Sequence, residues 1–108
     1  INFDFKQGDL SKLEFPDRKF DFTFIPSVLE RIDNQSIDII IRELCRISNK
    51  YIFISDFYDH YPLGYPRSEK ELEKFFNKYG FELEFFDYSI TDTYIPNQCE
   101  LHTMFVRK

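Results

Sequence analysis

The spacing of apolar residues predicts two helices in this chain. Between residues 37 and 47 the apolar side chains recur at intervals of three and four, as on one face of an α-helix. Asn34 or Ser36 stands where it can cap the start of this helix. A second helix is predicted after Ser68, because Ser68-Glu69-Lys70-Glu71 has the form of a capping box. Gly80 is placed to end it in the left-handed conformation.

Five further segments are predicted to be β-strands, since their apolar residues alternate with polar ones or follow one another without interruption. They are Ile1–Lys6, Phe20–Ile25, Tyr51–Ile54, Phe81–Tyr88 and His102–Val106. Gly8 frees the backbone to turn after the first strand, and Pro26 ends the second, because proline cannot donate to a strand ladder. Thr91–Glu100 is expected to be irregular. The strand, helix and strand between residues 20 and 54 imply a parallel pair joined by a right-handed crossover.

Length and composition indicate one α/β domain over residues 1–108. The 14 phenylalanines and seven tyrosines are more aromatic side chains than so short a chain needs for its core. Two interpretations stay open at this point. Some rings line a pocket or an interface, or the composition reflects a codon bias that enriches Phe, Ile, Lys, Asn and Tyr together.

Charge and cysteine content exclude several classes of function. The net charge of −5 and the lack of a basic cluster argue against nucleic-acid binding, which needs concentrated Lys and Arg. No apolar run is long enough to span a membrane. Cys45 and Cys99 lie far apart and form neither a disulfide framework nor a metal site, and a reducing, cytoplasmic location is expected. No metal-ligand spacing is found around His60 or His102.

Several short motifs carry a family resemblance. They are Gly8-Asp9-Leu10 with Leu13-x-Phe15-Pro16-Asp17 and Phe20-Asp21, then Val28-Leu29-Glu30-Arg31-Ile32, Glu43-Leu44-x-Arg46-Ile47 and Tyr79-Gly80-Phe81-Glu82. In this order and spacing they resemble the carboxyl-terminal half of class I S-adenosylmethionine (SAM) dependent methyltransferases. The resemblance implies a partial Rossmann-like fold, with a mostly parallel sheet, an antiparallel last strand and helices packed on it. Another kind of nucleotide-binding α/β protein is a weaker alternative, disfavoured by the two strands that end the chain.

The resemblance also implies cofactor contacts. Asp9 would accept a hydrogen bond from the adenine amino group of SAM, and the amide of Leu10 would meet a ring nitrogen. Ile25 and Pro26 would flank the methionine part. These positions suit the general rule that ligands of open α/β sheets lie at the carboxyl ends of strands. From the residues alone, Asp9 can equally be a turn carboxylate that follows Gly8.

Residues after the Tyr51–Ile54 strand are the candidates for chemistry on the methyl acceptor. Methyl transfer needs an acceptor held in line with the methyl group and, for some acceptors, a base that removes a proton. Asp56, Tyr58 and His60 are the candidate bases, with Asp59 and Tyr61 beside them. The acceptor implied is a small molecule with a hydroxyl or carboxylate group. The alternative interpretation is a solvated polar loop.

Two motifs of the family have no counterpart in the sequence: the Gly-rich turn after its first strand and the acid that holds the ribose hydroxyls. We therefore expect the chain alone to be inactive and to bind SAM poorly. The Ile1–Lys6 strand would lack its partner, so it either fills the vacant place beside Phe20–Ile25 or leaves an edge at which two chains pair as a homodimer. A non-catalytic methyltransferase-like interaction or dimerisation module is the alternative function.

Overall fold

A computed structural model describes residue 3 and residues 5–58, 64–91 and 98–108 of the chain. The strands are β1 (Phe20–Pro26), β2 (Ser48–Phe57), β3 (Phe81–Thr91) and β4 (Gln98–Arg107). The helices are α1 (Ile37–Ile47) and α2 (Glu69–Lys78), and a 3₁₀ helix spans Leu29–Arg31. Within these ranges no helix is both long and apolar enough to cross a membrane.

The described strands form one sheet in the order β1-β2-β4-β3. β1 and β2 are parallel, as the crossover predicted, with Ile25 opposite Ile54 and Pro26 opposite Ser55. β4 lies between β2 and β3 and is antiparallel to both. The antiparallel last strand is therefore confirmed. The described sheet is mixed rather than mostly parallel, because the position of β4 between two strands creates two antiparallel pairs.

The amino-terminal segment differs from its prediction. Phe3, Phe5 and Lys6, the described residues of the predicted strand Ile1–Lys6, belong to no strand, and both phenylalanines are exposed. The prediction is wrong for these three residues, since an alternating pattern forms a strand only where a neighbouring strand accepts its hydrogen bonds. The other residues of that segment lie outside the described residues.

The hairpin at the other end of the chain is longer than predicted. Thr91 pairs with Gln98 and Ser89 with Glu100, so strands β3 and β4 extend into the stretch expected to be irregular. Residues 92–97, between them, lie outside the described residues. Polar residues are accommodated here because the ladder of an antiparallel hairpin depends on backbone groups, whatever the side chains.

The helix ends follow the sequence signals in part. The capping box of α2 is present: Ser68 Oγ accepts from the Glu71 amide at 3.2 Å, and Glu71 accepts from the Ser68 amide at 3.3 Å. Gly80 has a φ of +83°, as predicted. Just before α1, Asp33 Oδ1 accepts from the amides of Gln35 at 3.0 Å and Ser36 at 2.8 Å. Ser36 makes no side-chain cap bond.

Both helices pack on one face of the sheet and enclose a single apolar core. Its buried members come from every strand and helix: Ile25, Leu29, Ile37, Ile40, Ile41, Leu44, Cys45, Ile52, Ile54, Leu72, Phe76, Phe81, Leu101 and Phe105. The opposite side of the sheet, which we call the open face, carries Phe22, Phe24, Phe53, Phe85 and Met104. Phe22, Phe24 and Phe85 on this face are more than half exposed.

Candidate functional site

The carboxyl ends of the parallel strands β1 and β2 meet at one edge of the sheet. β1 ends at Pro26, and Ser27 follows with a φ of +51°, an uncommon left-handed conformation for a residue other than glycine. The Ser27 amide donates to the Ser55 carbonyl of β2 at 2.7 Å, which holds this turn against the sheet. The chain then enters the 3₁₀ helix Leu29–Arg31. The turn therefore brings the 3₁₀ helix over the end of β2.

Two carboxyl groups are buried together at this edge. Glu30 is 1% exposed and Asp56 is 7% exposed. Glu30 Oε1 accepts a hydrogen bond from the Phe57 amide at 3.0 Å. Glu30 Oε2 and Asp56 Oδ1 are buried and accept no hydrogen bond from the described part of the chain. Buried carboxyl oxygens without partners are costly, and they mark this pair as a site for protons or polar groups.

The environment opposes the ionisation of both groups. Burial raises the pKa of Asp56 from 3.8 to about 7, and the negative charge of Glu30 adds to the rise. Burial also raises the pKa of Glu30, against the hydrogen bond from the Phe57 amide, which lowers it. Asp56 can therefore hold a proton near neutral pH beside the buried carboxyl of Glu30.

Arg67 supplies a buried positive charge beside the pair. It is 6% exposed and lowers the pKa of Asp56, which opposes the larger effect of burial. Its guanidinium donates to the carbonyls of Leu29 and Ile32, each at 2.8 Å, and to Asn34 Oδ1 at 2.9 Å. Arg67 thereby fixes the 3₁₀ helix and, with it, the position of Glu30.

The other two candidate bases, Tyr58 and His60, do not belong to the buried carboxyl pair. The amide of Tyr58 donates to the Cys99 carbonyl of β4 at 3.0 Å, and its ring meets Tyr88 edge-on with 5.2 Å between centroids. Tyr58 is therefore held against the β3–β4 hairpin. His60 lies outside the described residues, as do Asp59 and Tyr61.

The predicted cofactor residues of the amino-terminal segment form a tight turn. Asp9 Oδ1 accepts from the Ser11 amide at 2.9 Å and from the Ser11 hydroxyl at 2.7 Å, and these bonds lower the pKa of the exposed Asp9 carboxyl. The interpretation of Asp9 as a turn carboxylate is thus confirmed, although Gly8, before it, does not adopt the left-handed backbone. Leu10 packs against the core.

The same turn borders an open groove. The groove has a volume of about 430 Å³ and is lined by residues 6–10 and 12–15, so that it includes both Asp9 and Leu10. This volume is within the range of small-molecule sites. An ionised carboxylate at this position can accept a hydrogen bond from an amine.

Ile25 and Pro26 occupy the end of β1. Ile25 belongs to the buried core, whereas Pro26 is exposed at the carboxyl edge of the sheet. Their roles as cofactor contacts, like those of Asp9 and Leu10, stay predictions. Among the described residues there is no group of three or more side chains suited to hold a metal ion.

Sequence reasoning identified Asp56 but missed Glu30 and Arg67. Glu30 stood at a variable position within the Val28–Ile32 motif, and Arg67 preceded the capping box without a motif of its own. No local pattern predicts their contact, because it forms only when β1, β2 and the segment before α2 come together. The one available signal was the presence of charged residues next to predicted buried segments.

Comparison with known proteins supports the fold. No protein-family model and no curated protein sequence matches the chain. A SAM-dependent methyltransferase from Methanosarcina mazei matches with a TM-score of 0.80 and 19% identity, over 94% of this chain and 66% of that one. Magnesium protoporphyrin IX methyltransferase from Synechocystis PCC 6803, with bound SAM, matches with a TM-score of 0.73 and 20% identity. The match covers 94% of this chain and 44% of that one. The [4+2]-cyclase SpnF matches with a TM-score of 0.77 and 13% identity, over 96% of this chain and 55% of that one.

These likenesses confirm the fold that the resemblance implied. The chain has the fold of one part of SAM-dependent methyltransferases, and it spans two thirds or less of the length of these structures. At such low identities the match establishes the fold alone. A cyclase among the matches also shows that this fold accommodates more than one reaction.

Proposed function

We propose that this chain is the acceptor-side part of a SAM-dependent methyltransferase domain and contributes the adenine wall of the cofactor site. The observation that carries the proposal is the likeness to methyltransferase structures over 94% of the chain, with a TM-score of 0.80 in the first of them. We expect the protein in the cytoplasm, where reducing conditions suit the thiols of Cys45 and Cys99.

The amino-terminal turn fits the adenine end of SAM. The Asp9 carboxyl is ionised at neutral pH, because its bonds to Ser11 lower its pKa. An ionised carboxylate only accepts hydrogen bonds, and the amino group of adenine is a donor. The groove of about 430 Å³ beside Asp9 and Leu10 has room for a nucleoside. Ile25 and Pro26 would border the methionine part at the end of β1.

The carboxyl pair at the end of β2 fits the acceptor side. Bound SAM would supply an activated methyl group, and a hydroxyl acceptor must lose a proton as its oxygen takes that methyl. Asp56 is the favoured base among Asp56, Tyr58 and His60, since a pKa of about 7 lets it take up a proton near neutral pH. We therefore propose a small hydroxyl-bearing molecule as the acceptor, with a carboxylate acceptor as the alternative that needs no base.

One observation favours a second candidate function. Phe22, Phe24 and Phe85 are more than half exposed on the open face, and apolar residues gathered on one surface mark interaction sites. A non-catalytic interaction or dimerisation module with a methyltransferase fold would use this surface and would not need the carboxyl pair.

Titration of the isotope-labelled chain with S-adenosylhomocysteine, followed by amide NMR and by calorimetry, tests the proposal. We expect weak binding that moves the amide signals of Asp9, Leu10 and Ile25 and leaves β3 unchanged. Asp9→Ala should weaken binding about tenfold, the effect of one lost hydrogen bond to a charged group. Asp87→Ala, which removes an exposed carboxylate on β3, is the matched control. If saturating ligand moves no signal in residues 8–27, the methyltransferase proposal fails and the module remains.

A further inference from the structure

The motif Glu43-Leu44-x-Arg46-Ile47 forms an anchor between α1 and the amino-terminal segment. Arg46 lies in the last turn of α1, and its guanidinium donates to the carbonyl of Leu13 at 2.7 Å and to that of Phe15 at 2.7 Å. A further bond at 2.9 Å reaches Asp17 Oδ1. One side chain thus holds three positions of a segment that is far from it in sequence.

Glu43 completes the anchor from the previous turn of the helix. Its Oε1 accepts from Arg46 Nε at 2.9 Å and its Oε2 from Arg46 Nη2 at 3.1 Å, a two-point pair that fixes the plane of the guanidinium. Oε2 also accepts from the Leu13 amide at 2.8 Å. The bonds from Arg46 lower the pKa of the buried Glu43 carboxyl, so the pair stays ionised at neutral pH.

The anchored residues are also walls of the groove beside Asp9. Leu13, Glu14 and Phe15 line it together with residues 6–10 and Lys12. Leu13 therefore links the anchor to the groove. Its backbone amide and carbonyl are both bonded to α1, while its side chain packs on the core. Apart from this anchor, the turn at Asp9 is closed by local bonds from Ser11 and Lys12.

We infer that Glu43 and Arg46 are positioning residues for the groove: they fix the Leu13–Asp17 segment and, through it, the place of Asp9 and Leu10. This inference rests on the proposed function for its ligand, the adenine nucleoside. The part of the inference that concerns the anchor, which fixes the Leu13–Asp17 segment, does not depend on a ligand. Loss of the anchor should loosen residues 9–17 while the sheet and α1 persist, since the bonds lost all lie outside the core.

The test compares Arg46→Ala, Arg46→Lys and Glu43→Gln with the control Arg42→Ala, which removes an exposed arginine from the same helix. Hydrogen exchange of the free protein reports on the anchor, and titration with S-adenosylhomocysteine reports on positioning. In Arg46→Ala we expect the Leu13 amide to exchange about tenfold faster, and the ligand to bind about tenfold more weakly. Arg46→Lys keeps the positive charge but loses the two-point pairing with Glu43, so it should recover part of the exchange protection and part of the ligand affinity. Arg42→Ala should match wild type.

The two readouts separate the possible failures. Unchanged exchange in Arg46→Ala would overturn the inference whatever the ligand does. Faster exchange with wild-type affinity would overturn the positioning role and leave the proposed function intact. A wild-type chain in which saturating ligand moves no signal in residues 8–27 would instead defeat the proposed function, and the exchange data would still decide the anchor. If Arg46→Ala does not fold, Glu43→Gln and Arg46→Lys decide the same questions by the same criteria.

Discussion

At the scale of single residues, the Glu30–Asp56 pair makes the stability of the protein depend on pH. The pKa of Asp56 is about 7 in the folded chain against 3.8 as the ordinary value, so the folded state holds a proton that the unfolded state has lost. Folding stability is then fully present at low pH and falls as the pH rises through the folded pKa. This is opposite in sign to the usual effect of a carboxylate in an ion pair.

Asp56→Asn should remove most of this dependence. Between about pH 5 and about pH 8 we expect the unfolding free energy of wild type to fall by roughly 2–3 kcal/mol more than that of the variant. Asparagine stays neutral over this range. Denaturant unfolding at the two pH values measures the difference, with Asp87→Asn on exposed β3 as the control. Equal pH dependence in wild type and Asp56→Asn would show that the pair does not hold the proton.

The sequence located half of this site for a physical reason. Asp56 follows a continuous apolar run, Tyr51–Ile54, and a polar residue at the end of a buried strand is visible in a sequence. Glu30 has the same surroundings only because Ser27 turns the chain back over β2 and Arg67 holds the 3₁₀ helix there. Such contacts depend on tertiary structure, and the local periodicity of the sequence does not predict them.

At the scale of elements, local signals predicted both helices and the two ends of α2, because a helix satisfies its own backbone groups. The cap predicted for α1 was not found, since Ser36 makes no side-chain cap bond. Strands depend on partners, and there the sequence was less informative. Phe3 and Phe5 alternate with polar residues as a strand requires, yet they lie outside the sheet. Ser48 and Gln98 break the apolar pattern but begin β2 and β4, since their neighbours in the sheet complete the ladder.

Gly8 and Gly80 should respond differently to alanine. Gly80 follows α2 with a φ of +83°, and a Cβ there meets no atom within 4 Å, so the cost of Gly80→Ala is conformational strain alone. We expect a loss of about 1 kcal/mol of stability. Gly8→Ala is the control, because Gly8 has equal space and lies outside the left-handed region. It should be neutral or slightly stabilising in denaturant unfolding. Equal losses in both variants would contradict this account.

At the scale of the whole molecule, the sheet presents two edges of unequal character. β3 carries Glu82, Glu84 and Asp87, all exposed, and charged side chains of this kind protect an edge from pairing. β3 also carries the exposed Phe85, Phe86 and Ile90, so the two edges differ in charge rather than in apolar content. On β1, where Phe22 and Phe24 are both 53% exposed, the only acidic residue is Asp21. We therefore propose that the homodimer expected from the sequence forms through β1.

Sedimentation equilibrium of the chain should show a dimer, and Phe24→Lys should dissociate it. Two β1 strands paired edge to edge bring the copies of residue 24 into one interface, where like charges repel and the apolar contact is lost. Phe85→Lys makes the same change on the open face at the far edge, where the exposure of the phenylalanine is 55%, close to that of Phe24. It should leave the dimer intact. Dissociation by both variants would place the interface on the open face rather than on the β1 edge, and a wild-type monomer of 13.2 kDa would refute the dimer itself.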